Sequence, residues 1–134
     1  MPAIVLDSFA LLAYFRDEPG AEEVERLLIT AGKKDSLLHM TDVNYAEVKY
    51  SIIKKDGAKA WAEAAKILEN LPIDFHSTTR GLADTAADFK ASHKMSLADA
   101  FAAALTREKG AQLVTGDAEF KPLEKEIKII WLPK

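Results

Sequence analysis

Short apolar runs recur along this chain, separated by longer stretches whose apolar residues fall at helical spacing, and that alternation most constrains its fold. The runs cover residues 3–6, 37–40, 72–75, 112–115 and 127–132. Most do not alternate polar with apolar, as expected of strands covered on both faces. Between them, Ala21, Val24, Leu27, Leu28 and Ala31 form one helical stripe, with Glu22 and Arg26 predicted to pair on its surface. Val43, Ala46, Tyr50 and Ile53 form a second, Trp61, Ala64, Ala65 and Leu68 a third, and Leu82, Ala86 and Phe89 a fourth. Residues 97–105 are almost wholly apolar, which predicts a buried helix. Strands alternating with helices imply a layered α/β domain with a central, mainly parallel sheet of about five strands. Because helices pair up between strands, the order is not a simple one-strand-one-helix repeat.

The chain's 134 residues, 49% of them hydrophobic, suffice for one core, so a single domain over 1–134 is expected. Without cysteine, disulfides, thiol catalysis and cysteine-ligated metals are excluded. No apolar run reaches membrane-spanning length, and the N-terminus MPAIVLDSF lacks the basic start and long apolar stretch of a signal peptide. A soluble, cytoplasmic protein is the expectation.

In layered α/β folds, ligands sit beyond the carboxyl ends of the strands, and four acids, two at strand ends and two on nearby helices, are expected to converge there. Asp7 follows the first run in IVLDS, and Asp117 follows the fourth in QLVTGD. Each also reads as a helix cap or turn residue. Asp99 is the only charged residue between Lys94 and Arg107, on the apolar helix. It closes a capping box, Ser96-Leu97-Ala98-Asp99, so capping and ligation stand side by side. Glu47 lies a turn after Val43 and a turn before Tyr50, near the predicted inward stripe and too deep in its helix to cap it. Converging carboxylates repel one another, and a divalent cation removes the conflict. Donors that are all oxygen favour Mg²⁺ or Mn²⁺ over zinc or copper. His39, His76 and His93 read as isolated surface or strand-end residues. A nucleic-acid binder is usually basic, whereas this chain carries −3; setting aside the four acids leaves the remainder at +1, which is neutral on the question.

At these residues the sequence resembles the PIN-domain family, and within it the VapC-type toxin ribonucleases. The resemblance runs over essentially the whole chain. VLDSFALLAYFRDEPGAEEVERLL carries the first acid, Asp7, followed by Ser8; TDVNYAEV carries the Asn-x-x-Glu pattern as Asn44 and Glu47; MSLADAFAAALTREKGAQLVTGDAEF carries the third acid as Asp99, then Thr115, Asp117 and the closing Phe120. Glu119 stands where relatives often carry a further acid, and reads either as an accessory ligand or as a plain surface residue. The resemblance implies a three-layer α/β/α fold and metal-dependent endoribonuclease activity with Asp7, Glu47, Asp99 and Asp117 as catalytic metal ligands. It gives Ser8, Asn44, Thr115 and Glu119 supporting roles: Ser8 and Thr115 orienting ligands or phosphate, Asn44 hydrogen-bonding a ligand. It further implies an RNA substrate, a small cognate antitoxin from a type II toxin–antitoxin pair, and a homodimer. Ile52 and Trp61 are expected to lie off the core face and serve that dimer. Two other readings stay open at this stage, a receiver-like phosphoacceptor domain and a PIN-fold binding protein without activity.

Overall fold

The computed structural model describes residues 2–133; Met1 and Lys134, the ends of the expected 1–134 domain, lie outside them. Five strands, β1 (Ile4–Leu6), β2 (Leu38–Thr41), β3 (Ile73–His76), β4 (Gln112–Thr115) and β5 (Lys128–Trp131), form one sheet in the order β3-β2-β1-β4-β5, with every pairing parallel. Two helices follow each of the first two strands, α1 (Ser8–Phe15) with α2 (Ala21–Lys34), then α3 (Asp42–Asp56) with α4 (Ala58–Leu68). The pair α5 (Arg80–Ser92) and α6 (Leu97–Lys109) follows β3, and a short 3-10 helix, Ala118–Leu123, joins β4 to β5. No helix among the described residues is long and apolar enough to cross a membrane.

Both faces of the sheet are covered, which explains the lack of alternation in the apolar runs. On β1, Ile4 and Leu6 face a cluster with Leu11, Val24, Met40, Val48 and Leu68, while Val5 faces the other side, with Leu113, Phe89, Phe101 and Phe120. Helices α1–α4 make one layer and α5–α6 the other, so the architecture is the three-layer α/β/α arrangement predicted. Helix α6 is the buried helix foreseen, with every residue from Asp99 to Thr106 buried.

Helix α3 departs from the predicted stripe. Its buried residues are Asn44, Val48 and Ile52, whereas Tyr50 and Ile53 are exposed. At about 100° per residue, the two sets lie on nearly opposite faces. The inward position that the apolar pattern misses belongs to a polar residue: Asn44 is fully buried and its amide is satisfied there. Ile52 is therefore a core residue, and Trp61 packs at the core margin, edge-on to Tyr45; neither stands off the core face. On α2, Arg26 pairs with Glu23, three residues back, and not with Glu22.

Candidate active site

The parallel sheet aligns the carboxyl ends of β1, β2 and β4 at one edge, and the helices begin there. Asp7 follows β1 and caps α1, its Oδ1 accepting the Ala10 amide at 2.9 Å. Thr41 ends β2 and caps α3 by accepting the Asn44 amide at 2.9 Å. Asp117 follows β4 and caps the 3-10 helix, accepting the Glu119 amide at 2.9 Å. Ser96 caps α6 by accepting the Asp99 amide at 3.1 Å. Asp7 and Asp117 are thus the helix caps predicted, and Ser96 supplies its half of the predicted capping box, which sets Asp99 in the first turn of α6.

These caps direct the acids to one open cleft of about 260 Å³, walled by Glu47, Asp99, Asp117 and Glu119 together with Ser8, Phe9, Leu12 and Ser96. Asp99, Asp117 and Glu119 each bring a carboxylate oxygen within 4.8 Å of the others'. Glu119 is the least expected member, an exposed residue that the tight turn capped by Asp117 brings to the cleft. Asp7 is 1% exposed and lies behind the cleft. Its second oxygen accepts the Thr115 hydroxyl, which in turn accepts the Asp117 amide at 3.0 Å. Glu47 is half-buried on the cleft wall, near enough to Asp99 to bear on its ionisation.

Ser8 and Asn44 have partners other than the acids. The Ser8 hydroxyl donates to the Asn44 carbonyl at 3.2 Å and accepts from the Asn44 side-chain amide at 3.1 Å. Asn44 also donates to the Ala98 carbonyl at 3.2 Å and pairs with the Thr41 hydroxyl. This network bolts α1, α3 and α6 together beneath the cleft; it hydrogen-bonds no carboxylate. Gly116, between Thr115 and Asp117, permits a close approach: a Cβ there would lie 2.3 Å from the Phe9 ring at the rim.

The electrostatics reflect this crowding. Burial, above all, pushes Asp7 up to about 8, with Asp99 and Asp117 adding to the effect. Asp99 is pushed up to about 7, first by burial and then by Asp117, Glu119 and Glu47. A set of oxygen donors that repel one another in a solvent-reached cleft is suited to a hard divalent cation. Asp7, with both oxygens engaged and no open face, is unsuited to accept a phosphoryl group.

The PIN domain family model matches residues 4–126. The chain belongs to the PIN domain family. Its fold is shared with toxin–antitoxin structures. DNA-bound VapBC from Salmonella typhimurium matches with a TM-score of 0.78 at 14% identity, over 97% of this chain and 98% of that one. VapBC2 from Rickettsia felis, bound to a promoter DNA fragment, matches at 0.77 and 13%, over 98% and 99%. VapC20 from Mycobacterium tuberculosis, a sarcin–ricin-loop-cleaving toxin, matches at 0.76 and 18%, over 98% and 100%. No curated protein matches the chain.

Proposed function

We propose that this PIN domain is a Mg²⁺- or Mn²⁺-dependent endoribonuclease, the toxin of a type II toxin–antitoxin pair, working in the cytoplasm as one unit over 1–134. The observation that carries the reading is the meeting of Asp99, Asp117 and Glu119 within 4.8 Å in an open cleft. The toxin–antitoxin setting of the structural neighbours supports a small antitoxin as partner. A homodimer is proposed on the sequence resemblance to the VapC-type toxins alone.

A bound Mg²⁺ or Mn²⁺ would supply Lewis-acid activation of water and phosphate. Asp99, Asp117 and Glu119 are the residues to hold it. Asp7 backs them from the protein interior; burial holds a proton on it near pH 7, and a bound cation would draw that proton off. Thr115 fixes the spacing of the two strand-end acids, since its hydroxyl donates to Asp7 and accepts from the Asp117 backbone. Glu47, also lining the cleft, would orient the attacking water or hold a second ion. Ser8 and Asn44 keep α1, α3 and α6 in register so that the acids stay aligned.

Antitoxin-free protein incubated with single-stranded and hairpin RNA tests this reading. Cleavage is expected with Mg²⁺ or Mn²⁺, at unpaired positions, and none with EDTA. Asp99→Asn, purified identically, is expected to lose at least ~100-fold in rate while staying folded. Equal degradation by both proteins would assign the activity to a contaminant and leave a binding protein without activity.

A further inference from the structure

A second set of donor groups lies outside the cleft. Parallel pairing sets His39 of β2 opposite Asp74 of β3 and Thr41 opposite His76. Side chains two apart on a strand share a face, so Asp74 and His76 point the same way, and His39 joins them from the neighbouring strand. Val5, paired with His39, packs in the α5–α6 layer, which identifies the face. Because β3 is the edge strand, the layer covers this corner only in part: the side chains of His39, His76 and Asp74 are 18%, 19% and 46% exposed.

His39 Nδ1 and His76 Nε2 are 2.8 Å apart, and Asp74 Oδ2 lies 3.9 Å from the first and 3.4 Å from the second. Ligands at about 2.0–2.1 Å from a tetrahedral ion stand roughly 3.3–3.4 Å from each other. The three observed separations bracket that edge. The ring-to-ring contact must open and the His39–Asp74 separation close, each by about half an ångström, which small rotations of these side chains provide.

We propose that His39, Asp74 and His76 form a binding site for a borderline transition-metal ion, Zn²⁺ in the first place, separate from the acidic cleft. Two imidazole nitrogens and one carboxylate oxygen select such an ion, whereas the oxygen-only cleft selects Mg²⁺ or Mn²⁺. With three protein ligands and an open side, water completes the coordination. Binding displaces the one proton that the two rings share along their hydrogen bond, and that proton passes through solvent to the other nitrogen of the ring that donated it. Lys109, in the last turn of α6, is close enough to act on His39 and opposes a cation, and Asp74 offsets it. The site clips the edge strand β3 to β2, whose last residue, Thr41, starts the helix carrying Asn44 and Glu47.

Titration with Co²⁺, read by its visible ligand-field absorption, tests the site in the full chain. One equivalent is expected to give the intense absorption of a tetrahedral centre, displaced by Zn²⁺ and unchanged in Asp99→Asn. His76→Gln and His39→Gln are expected to weaken binding at least ~10-fold. Should either fail to fold, Asp74→Asn, at an exposed position, carries the same expectation. Absence of the absorption in wild type, its persistence in these variants, or its loss in Asp99→Asn alone would overturn the proposal, the last by assigning the ion to the acidic cleft.

Discussion

Asp7→Asn should stabilise the metal-free protein, and the size of the gain follows from its burial. Burial is the chief reason that Asp7 moves from 3.8 to about 8, so at pH 7 the folded chain holds a proton that the unfolded chain has released; at about 1.36 kcal/mol per unit this costs roughly 4 kcal/mol. The sign is that of an acid raised on folding. Below the unfolded value both states are protonated and nothing is lost. As pH rises between the two values stability falls, and above about 8 the loss is complete. Asparagine carries no charge, and its carbonyl still accepts the Ala10 amide. It places an amide where Thr115 now donates, a mismatch of about 1 kcal/mol. The net gain near pH 7 is about 1–3 kcal/mol, or roughly 5–10 °C in Tm for a domain of this size. Thermal unfolding in EDTA at about pH 5, 7 and 8.5 measures it. Wild type should lose stability across that range more steeply than the variant, and added Mn²⁺ should restore wild type selectively. A variant that melts below wild type at about pH 8, or a wild-type Tm that is flat with pH, would refute the argument and return Asp7 to a purely capping role.

Other outcomes follow from the same geometry. Mn²⁺ affinity by calorimetry should rise with pH up to about 8, because Asp99, held near 7, and Asp7, held near 8, give up protons as metal binds; a flat profile counts against their proximity to the ion. Glu119→Gln should weaken Mn²⁺ binding about as much as Asp117→Asn does, roughly 10-fold or more, and an unaffected Glu119 variant would make it a surface acid. Asn44→Ala should lower stability by about 2–4 kcal/mol in urea unfolding, because it removes the side-chain hydrogen bonds to Ser8, Thr41 and the Ala98 carbonyl at a fully buried point; a loss under about 1 kcal/mol would mean water replaces the amide. Light scattering should show a dimer at micromolar concentration, with Tyr50 and Ile53, both exposed on α3, as the first residues to substitute; a monomer at high micromolar concentration removes the dimer.

How much of this was legible in the sequence depended on which forces are local. The strand at Gln112–Thr115 matches its apolar run residue for residue, and the others shift by a residue or two, since continuous burial on both faces leaves an unbroken apolar signature. The caps at Asp7, Ser96 and Asp117 were legible because capping involves residues two or three apart. Helix α3 was not. Its inward face is set by Asn44, whose partners Ser8 and Ala98 lie 36 and 54 residues away, and a count of apolar residues treats a satisfied buried amide as surface. Glu119 was visible as an acid two residues past Asp117, but its approach to Asp99 depends on the turn that Asp117 caps. His39 and His76, expected to be isolated, are hydrogen-bonded across 37 residues. Their meeting requires both the adjacency of β2 and β3 and a register that no local pattern encodes.

The placement of Thr115 shows how the fold tolerates its own site. Two strand-end acids on neighbouring parallel strands would repel and spread, loosening the edge at which α1 and the 3-10 helix begin. One buried hydroxyl counters this from both sides: it donates to the Asp7 carboxylate and accepts the backbone amide of Asp117. Because the second contact is to main chain, it holds the Asp117 side chain by position and leaves its carboxylate free to cap the turn and face the cleft. Valine, of nearly the same shape, would preserve the packing and lose both bonds, leaving Asp7 buried with one partner fewer. Ser96 acts in a related way: its hydroxyl takes the Asp99 amide and also favours the ionised Asp99 carboxylate against the crowding. Hydroxyls at Thr115 and Ser96 thus take up backbone amides at the sheet edge, and Asp7 and Asp99, which burial and crowding push toward protonation, would give up those protons to a cation that arrives from outside.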